Sequence, residues 1–317
     1  MRTNWLYQNK IKVILGMLTF IFLLGGAYMY SKFHSFSDKT YHALERGHKS
    51  MKREHKISPL KDNISLLIMG EDNSETREGE YGKNARSDAL MIATINKDTS
   101  AINLLSIPRD TRVYIPIKLK EDKIAHAHAF GGIDSTIDTV EKFLDIPIDY
   151  YIKFNFDSFL SLIDTIGGID VDVPVTFTEQ DSKDQADAIH LEKGYQHLNG
   201  EQALALTRTR HIDNDFMRGQ RQQLVIEATG KKLLTMNSLS KFNSIFDKVS
   251  PHMSTNLSTA DMFSIAKTMM DHSPKINKRQ IECNDKYIDG IYYAEPDLES
   301  VQQISKDLKQ ELQKIRD

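Results

Sequence analysis

The 317-residue chain is 40% hydrophobic and 27% charged, the balance of a globular protein with one large domain or two small ones, which excludes a disordered or collagenous chain. Its 41 basic and 44 acidic side chains give a net charge of −3, without the basic excess by which a duplex nucleic-acid binder neutralises phosphates. Cys283 is the only cysteine, so an internal disulfide framework and a cysteine-rich zinc site are also excluded.

The first element in chain order is apolar. Val13 to Tyr30 contains no charge, and its length approaches the ~20 residues that cross a bilayer as a helix. Trp5 and Tyr7 before it, and Tyr28 and Tyr30 at its end, suit interfacial aromatic belts. The pattern predicts a transmembrane anchor over 13–30 after a short tail, 1–12. A cleaved signal peptide is the main rival, but its apolar region is typically about 7–15 residues. Arg2, Lys10 and Lys12 precede the span, while Lys32, Lys39, Arg46 and Lys49 follow it, so charge alone leaves the orientation open.

Residues 31–60 are polar and charged and read as a stalk. A folded domain is expected over 61–317. Asn63–Met69, Asp88–Ile95 and Ala101–Ile107 are short apolar runs with short connections, which predicts an antiparallel meander. Ile133, Ile137, Val140 and Leu144 then recur at helical spacing. Tyr150–Phe156 reads as a strand, Asp157 as the cap of a helix stopped at Gly167-Gly168, and Ile169–Val173 as another strand. Arg218–Leu234, Ser258–Met270 and Leu298–Ile315 are further helices. Strands and helices mixed without a strict βαβ rhythm predict an α/β fold, a central mixed sheet with helices on both faces.

The common nucleotide-binding, zinc-protease and serine-nucleophile signatures are missing. His126 and His128 lack a third ligand and read as solvated loop residues. What stands out is arginine beside strand ends. If the first two strands pair antiparallel, Asp72, Arg86 and Asp88 share one sheet end, and the third strand returns Arg109 and Arg112 to it. Two carboxylates among arginines suit a divalent cation and a phosphate sharing a site. Salt-bridged loops would account for the same residues, and geometry alone leaves both readings open. A second cluster holds Arg208 and Arg210, on one side of an extended stretch, and Arg218 and Arg221, on one face of a helix start. Guanidinium forks match phosphate oxygens in pairs of hydrogen bonds.

These stretches resemble the LytR-CpsA-Psr family of Gram-positive cell-envelope proteins. The matches include Leu66–Gly70 with Asp72, Arg86-Ser-Asp88, Leu105–Asp110, Lys123-Ile and His126–Gly132. They continue through Ile148–Tyr151, Ile166–Val171, Leu198–Leu204, Arg208–His211 and Asp215–Gln222, so the core motifs span 63–230 in the family's order.

The resemblance implies a membrane-anchored protein with its domain outside the cell. It implies transfer of a glycopolymer, wall teichoic acid or capsule, from a polyprenyl-pyrophosphate carrier to peptidoglycan, with a phosphodiester formed at a muramic acid hydroxyl. Carried across, Asp72 and Asp88 would hold Mg²⁺, and Arg86, Arg109, Arg208, Arg210, Arg218 and Arg221 would clamp the pyrophosphate. Lys123 and Gln222 would support the site or touch the glycan. The polyprenyl tail would lie in an apolar channel beneath the sheet. The other readings are a membrane-tethered polyprenyl-phosphate-binding regulator and a pyrophosphate hydrolase. No residue is evident as the base for the acceptor hydroxyl.

Overall fold

The structure is a computed structural model that describes residues 31, 35, 39–71, 87–98, 101–235, 244–245, 247–271 and 275–313. The three leading apolar runs pair as the sequence predicts. β1 (Ile64–Glu71), β2 (Ser87–Ile95) and β3 (Ile102–Ser106) form an antiparallel meander, with Leu67 opposite Ile92 and Ala93 opposite Leu104. A hairpin of β4 (Arg112–Ile115) and β5 (Lys120–Lys123) follows, then α1 (His126–Leu144). β6 (Tyr150–Asn155) lies parallel to β1, and α2 (Phe156–Ile166) leaves its end. β7 (Ile169–Val173) pairs with β10 (Gly194–Leu198), and β8 (Phe177–Glu179) with β9 (Ile189–Leu191). After α3 (Gly200–Arg208) and α4 (Asp215–Leu234) come β11 (Met253–Thr255), α5 (Thr259–Asp271) and β12 (Ile276–Gln280). The hairpin of β13 (Cys283–Ile288) and β14 (Ile291–Pro296) leads into α6 (Leu298–Gln313).

The central mixed sheet has the order β11-β6-β1-β2-β3-β12. Strand side chains alternate faces, so apolar runs without polar alternation must be covered on both sides. Leu67 and Met69, Leu90 and Ile92, and Leu105 point to a layer with Ile137, Val140 and Leu144 of α1 and Val301, Ile304 and Leu308 of α6. Their neighbours Ile64, Leu66, Met91, Ala93 and Leu104 point the other way, onto Ile226 of α4 and Met262, Ile265 and Met269 of α5. Helices therefore cover both faces, as expected. A third cluster, under α2, α3 and the β7–β10 pair, extends this second side.

Four local readings change. The segment read as a stalk is part of the domain from Thr40 onward: Leu44 and Ile57 are buried, and Arg53 pairs with Asp149 at 2.6 Å. Its few apolar side chains suffice because the sheet supplies the rest of the surface they bury. The helix expected from Ile133 starts seven residues earlier, at His126, and bends at Gly131 and Gly132, whose φ of 65° a side chain would resist. The cap of α2 is Asn155, which accepts the Ser158 N–H at 3.0 Å; Asp157 sits in the first turn, where a negative charge suits the helix dipole. Arg208 closes a helix, α3, that was not expected. That helix opens with a reciprocal cap between Asn199 and Gln202.

Among the described residues no helix is long and apolar enough to cross a membrane; the span expected at 13–30 lies outside them.

Candidate active site

β1, β3, β6 and β12 all run toward the sheet end where β2 begins. Gly70 opposes Ala89 and Glu71 opposes Ser87, so Asp88 is the extra residue of a bulge. A bulge turns a side chain out of the regular ladder, and here it sends Asp88 into a cavity of about 330 Å³. Arg109, carried back by the turn after β3, forms an ion pair with Asp88 through Oδ1. The Arg109 Nε is buried without a hydrogen-bond partner among the described residues. Asp72 and Arg86, expected beside these two, lie outside the described residues.

Three arginines of the second cluster, Arg208, Arg210 and Arg218, reach the same cavity from α3, the loop after it and α4. Arg208 donates from Nη1 to the Asp181 carbonyl at 3.0 Å, and its guanidinium lies 5.5 Å over the Phe156 ring. Thr209 is fully buried, which turns Arg208 and Arg210 to the opposite side; Arg210 is exposed at the rim. The sharing of one side was expected from an extended stretch, and it arises instead where a helix ends. Arg218 is buried to 4% exposure, with Asp215 at 3.2 Å. Burial lowers its pKa, the nearby Asp215 opposes that shift, and Arg210 adds to it. A buried arginine stays protonated and gains from an anion. Gly219 lets the start of α4 lie close against β3 and β12: a Cβ there would sit 2.8 Å from Ser106 Oγ and Gln280 Nε2.

Gln222 also lines the cavity and donates to the Thr207 carbonyl at 3.2 Å. Arg221 does not line it. Its guanidinium is taken up by Asp213 and by the carbonyls of Leu206 and Thr209, so it shapes the loop that presents Arg210. Lys123 likewise turns away, pairing with Asp110 at 2.8 Å and lying 5.7 Å from the Tyr293 ring centre. Arg112 leaves the site for Glu121 and Glu295.

His126 bonds Asp122 at 2.9 Å, while His128 is 1% exposed rather than solvated. His128 Nε2 lies 2.9 Å from Glu71 Oε1, and Lys153 lies 3.1 Å from the same oxygen. Burial raises the Glu71 pKa, but His128 and Lys153 outweigh it and hold this carboxyl below its usual range. Among the described residues no three His, Cys, Asp or Glu side chains gather as a metal cage.

The apolar part of the lining was not assigned from the sequence. Phe154, Phe156 and Phe159 straddle the β6–α2 junction and meet Met91, Leu204, Val225 and Ile226. Their spacing crosses from strand to helix, so neither periodicity reveals that they converge. Glu179 and His211 also line the cavity, with Glu179 Oε2 3.5 Å from His211 Nδ1. A cavity with a cationic rim and an aromatic and aliphatic wall suits a ligand that is anionic at one end and hydrocarbon at the other.

The LytR_cpsA_psr family model matches residues 27–310. The chain belongs to this family. TagT of Bacillus subtilis (strain 168), a polyisoprenyl-teichoic acid–peptidoglycan teichoic acid transferase, is 35% identical over 96% of this chain and 95% of its own length. An uncharacterized protein of Staphylococcus aureus (strain NCTC 8325 / PS 47) is 37% identical over 82% of this chain; the match spans 65% of that protein. The solved LytR-CPS2A-psr family protein YwtF (TagT) with bound octaprenyl pyrophosphate lipid has a TM-score of 0.68 at 32% identity, covering 86% of this chain and 99% of the other. The mixed sheet with its flanking helices is therefore the fold of the LytR-CpsA-Psr family.

Proposed function

We propose that this chain transfers an anionic glycopolymer, wall teichoic acid or capsule, from a polyprenyl-pyrophosphate carrier to a muramic acid hydroxyl of peptidoglycan, forming a phosphodiester. One observation carries the reading: Arg208, Arg210 and Arg218 converge on a cavity that is also lined by aromatic and aliphatic side chains. The relatives support it, through the transferase name of TagT and the lipid bound to YwtF.

In this reading the diphosphate lies against the three guanidinium groups, and the prenyl chain follows Phe154, Phe159 and Ile226. The acceptor hydroxyl attacks the phosphorus that bears the glycan, and prenyl phosphate departs. Phosphoryl transfer is catalysed mainly by positioning and charge neutralisation, so arginines aimed at the departing oxygens lower the barrier.

Magnesium fits the donor set. Asp88 presents hard carboxylate oxygens at a strand end and pairs with Arg109 through one of them, and Mg²⁺ usually takes one or two carboxylates with phosphate and water. Asp88, with Asp72, would hold it, and it would supply charge neutralisation at the diphosphate. We place the domain outside the cell on an anchor at 13–30, because the carrier is a membrane lipid and the acceptor lies in the wall. Protease added to intact protoplasts should then remove the domain; full protection contradicts this topology.

The decisive experiment incubates the full chain with a prenyl-pyrophosphate oligosaccharide, Mg²⁺ and peptidoglycan. A glycan–peptidoglycan phosphodiester is the expected product. Release of free glycan phosphate alone would make the protein a hydrolase, and lipid binding without turnover would make it a receptor.

A further inference from the structure

Building on the transfer proposed above, we infer that His211 is the general base for the acceptor hydroxyl and Glu179 the residue that positions it. The hydroxyl must lose a proton as it attacks, and a positioned base contributes about 10²–10⁴-fold to such a step. Among the described residues, three other carboxylates near the site are already paired. Asp88 is ion-paired with Arg109, Glu71 with His128 and Lys153, and Asp110 with Lys123.

His211 follows Arg208 and Arg210 on the rim of the same cavity, and its side chain is 58% exposed. The acceptor is a polymer far larger than about 330 Å³, so its hydroxyl meets the diphosphate at this rim. Behind the ring, the Glu179 side chain is only 12% exposed. The backbone N–H of Gln180 donates to Glu179 Oε1 at 3.1 Å, which turns Oε2 toward His211 Nδ1 at 3.5 Å. Thr209 Oγ1 is 3.4 Å from the same nitrogen. In this assignment the ring proton is on Nδ1, toward this carboxylate, which leaves the lone pair on Nε2, on the far side of the ring, and a carboxylate beside the imidazolium that forms. Catalytic contacts of this kind are often long in the free enzyme and shorten on the substrate.

The step balances. The acceptor oxygen bonds to the glycan-bearing phosphorus, and the bond from that phosphorus to the bridging oxygen breaks. Prenyl phosphate leaves with that electron pair, the proton passes to His211 Nε2, and solvent later removes it.

The test measures single-turnover transfer against pH, beside affinity for the prenyl-pyrophosphate substrate, using the full chain in proteoliposomes. Arg208, Arg210, Arg218, Asp88 and Glu71 line the cavity with Glu179, so the acid limb is compared between variants rather than read from wild type alone. H211Q should transfer about 10²–10³-fold more slowly, bind the lipid within about twofold of wild type, and lose the acid limb. Imidazole should restore part of the rate to H211A. E179Q should keep transfer at a reduced rate with lipid affinity unchanged, because the imidazole has lost the carboxylate that orients it. An H211Q rate equal to wild type overturns the assignment. So does a slow H211Q that retains the limb, or one that loses rate and lipid affinity in parallel. If wild type itself yields no phosphodiester, the transferase reading fails first, which keeps the two failures distinct.

Discussion

The guanidinium of Arg221, 1% exposed inside α4, grips both carboxylate oxygens of Asp213, the Leu206 carbonyl in α3 and the Thr209 carbonyl on the loop that carries Arg210. One side chain thus ties the end of α3 to the start of α4. A lysine keeps the charge but cannot fill four acceptors in this geometry. Arg221→Lys should lower the unfolding free energy by roughly 2–4 kcal/mol, below the upper end for buried pairs because Asp213 is 21% exposed. Denaturant titration checks the stability. Lipid affinity should fall with it, since Arg210 loses its support.

Arg210 is exposed on that loop, so its substitution tests chemistry rather than folding. Arg210→Lys should lower kcat by a factor on the order of 10²–10³, if it resembles loss of one charge-stabilising donor, with a smaller effect on lipid binding. Arg210→Ala should be at least as slow. Single-turnover rates beside affinities separate the two; equal rates in all three proteins would return Arg210 to ordinary surface charge.

Asp88 is half-buried and paired with Arg109 at the sheet bulge. Asp88→Ala should abolish transfer while the fold persists, because no core packing is removed. Circular dichroism and a magnesium-dependent transfer assay report the two effects. A variant that works at wild-type rate in excess chelator would exclude magnesium at this position.

Glu71 offers a pH test of the buried contact beneath the cavity. Its folded pKa lies below the ordinary 4.5, burial being outweighed by His128 and Lys153. A depressed carboxyl contributes stability above its unfolded pKa and loses it as pH falls through the folded value. Glu71→Gln should therefore be less stable than wild type near neutrality, and the gap should close on acidification below 4.5. Urea denaturation midpoints across pH measure this; a gap that persists unchanged into acid would refute the ion-pair account.

Much of the fold was legible because its causes are local. The apolar runs of β1, β2 and β3 are short, turn-bounded and continuous, which leaves a meander covered on both faces as the consistent solution. The same pairing logic correctly brought Arg109 to Asp88. Density of arginine over 208–221 in an acidic chain pointed to an anion site, and the family motifs pointed to the chemistry.

Tertiary structure decided which charges are spent on the protein itself. Arg208, Arg210 and Arg218 reach the cavity, while Arg221 and Lys123 are matched by Asp213 and Asp110. Sequence spacing cannot distinguish these cases, because a guanidinium's role depends on which carboxylates and carbonyls distant elements bring within about 3 Å of it. The aromatic wall and the His211–Glu179 contact arise in the same way. The residues of each come from separate elements and meet only when α2, β8 and the loop after α3 close on the end of the central sheet.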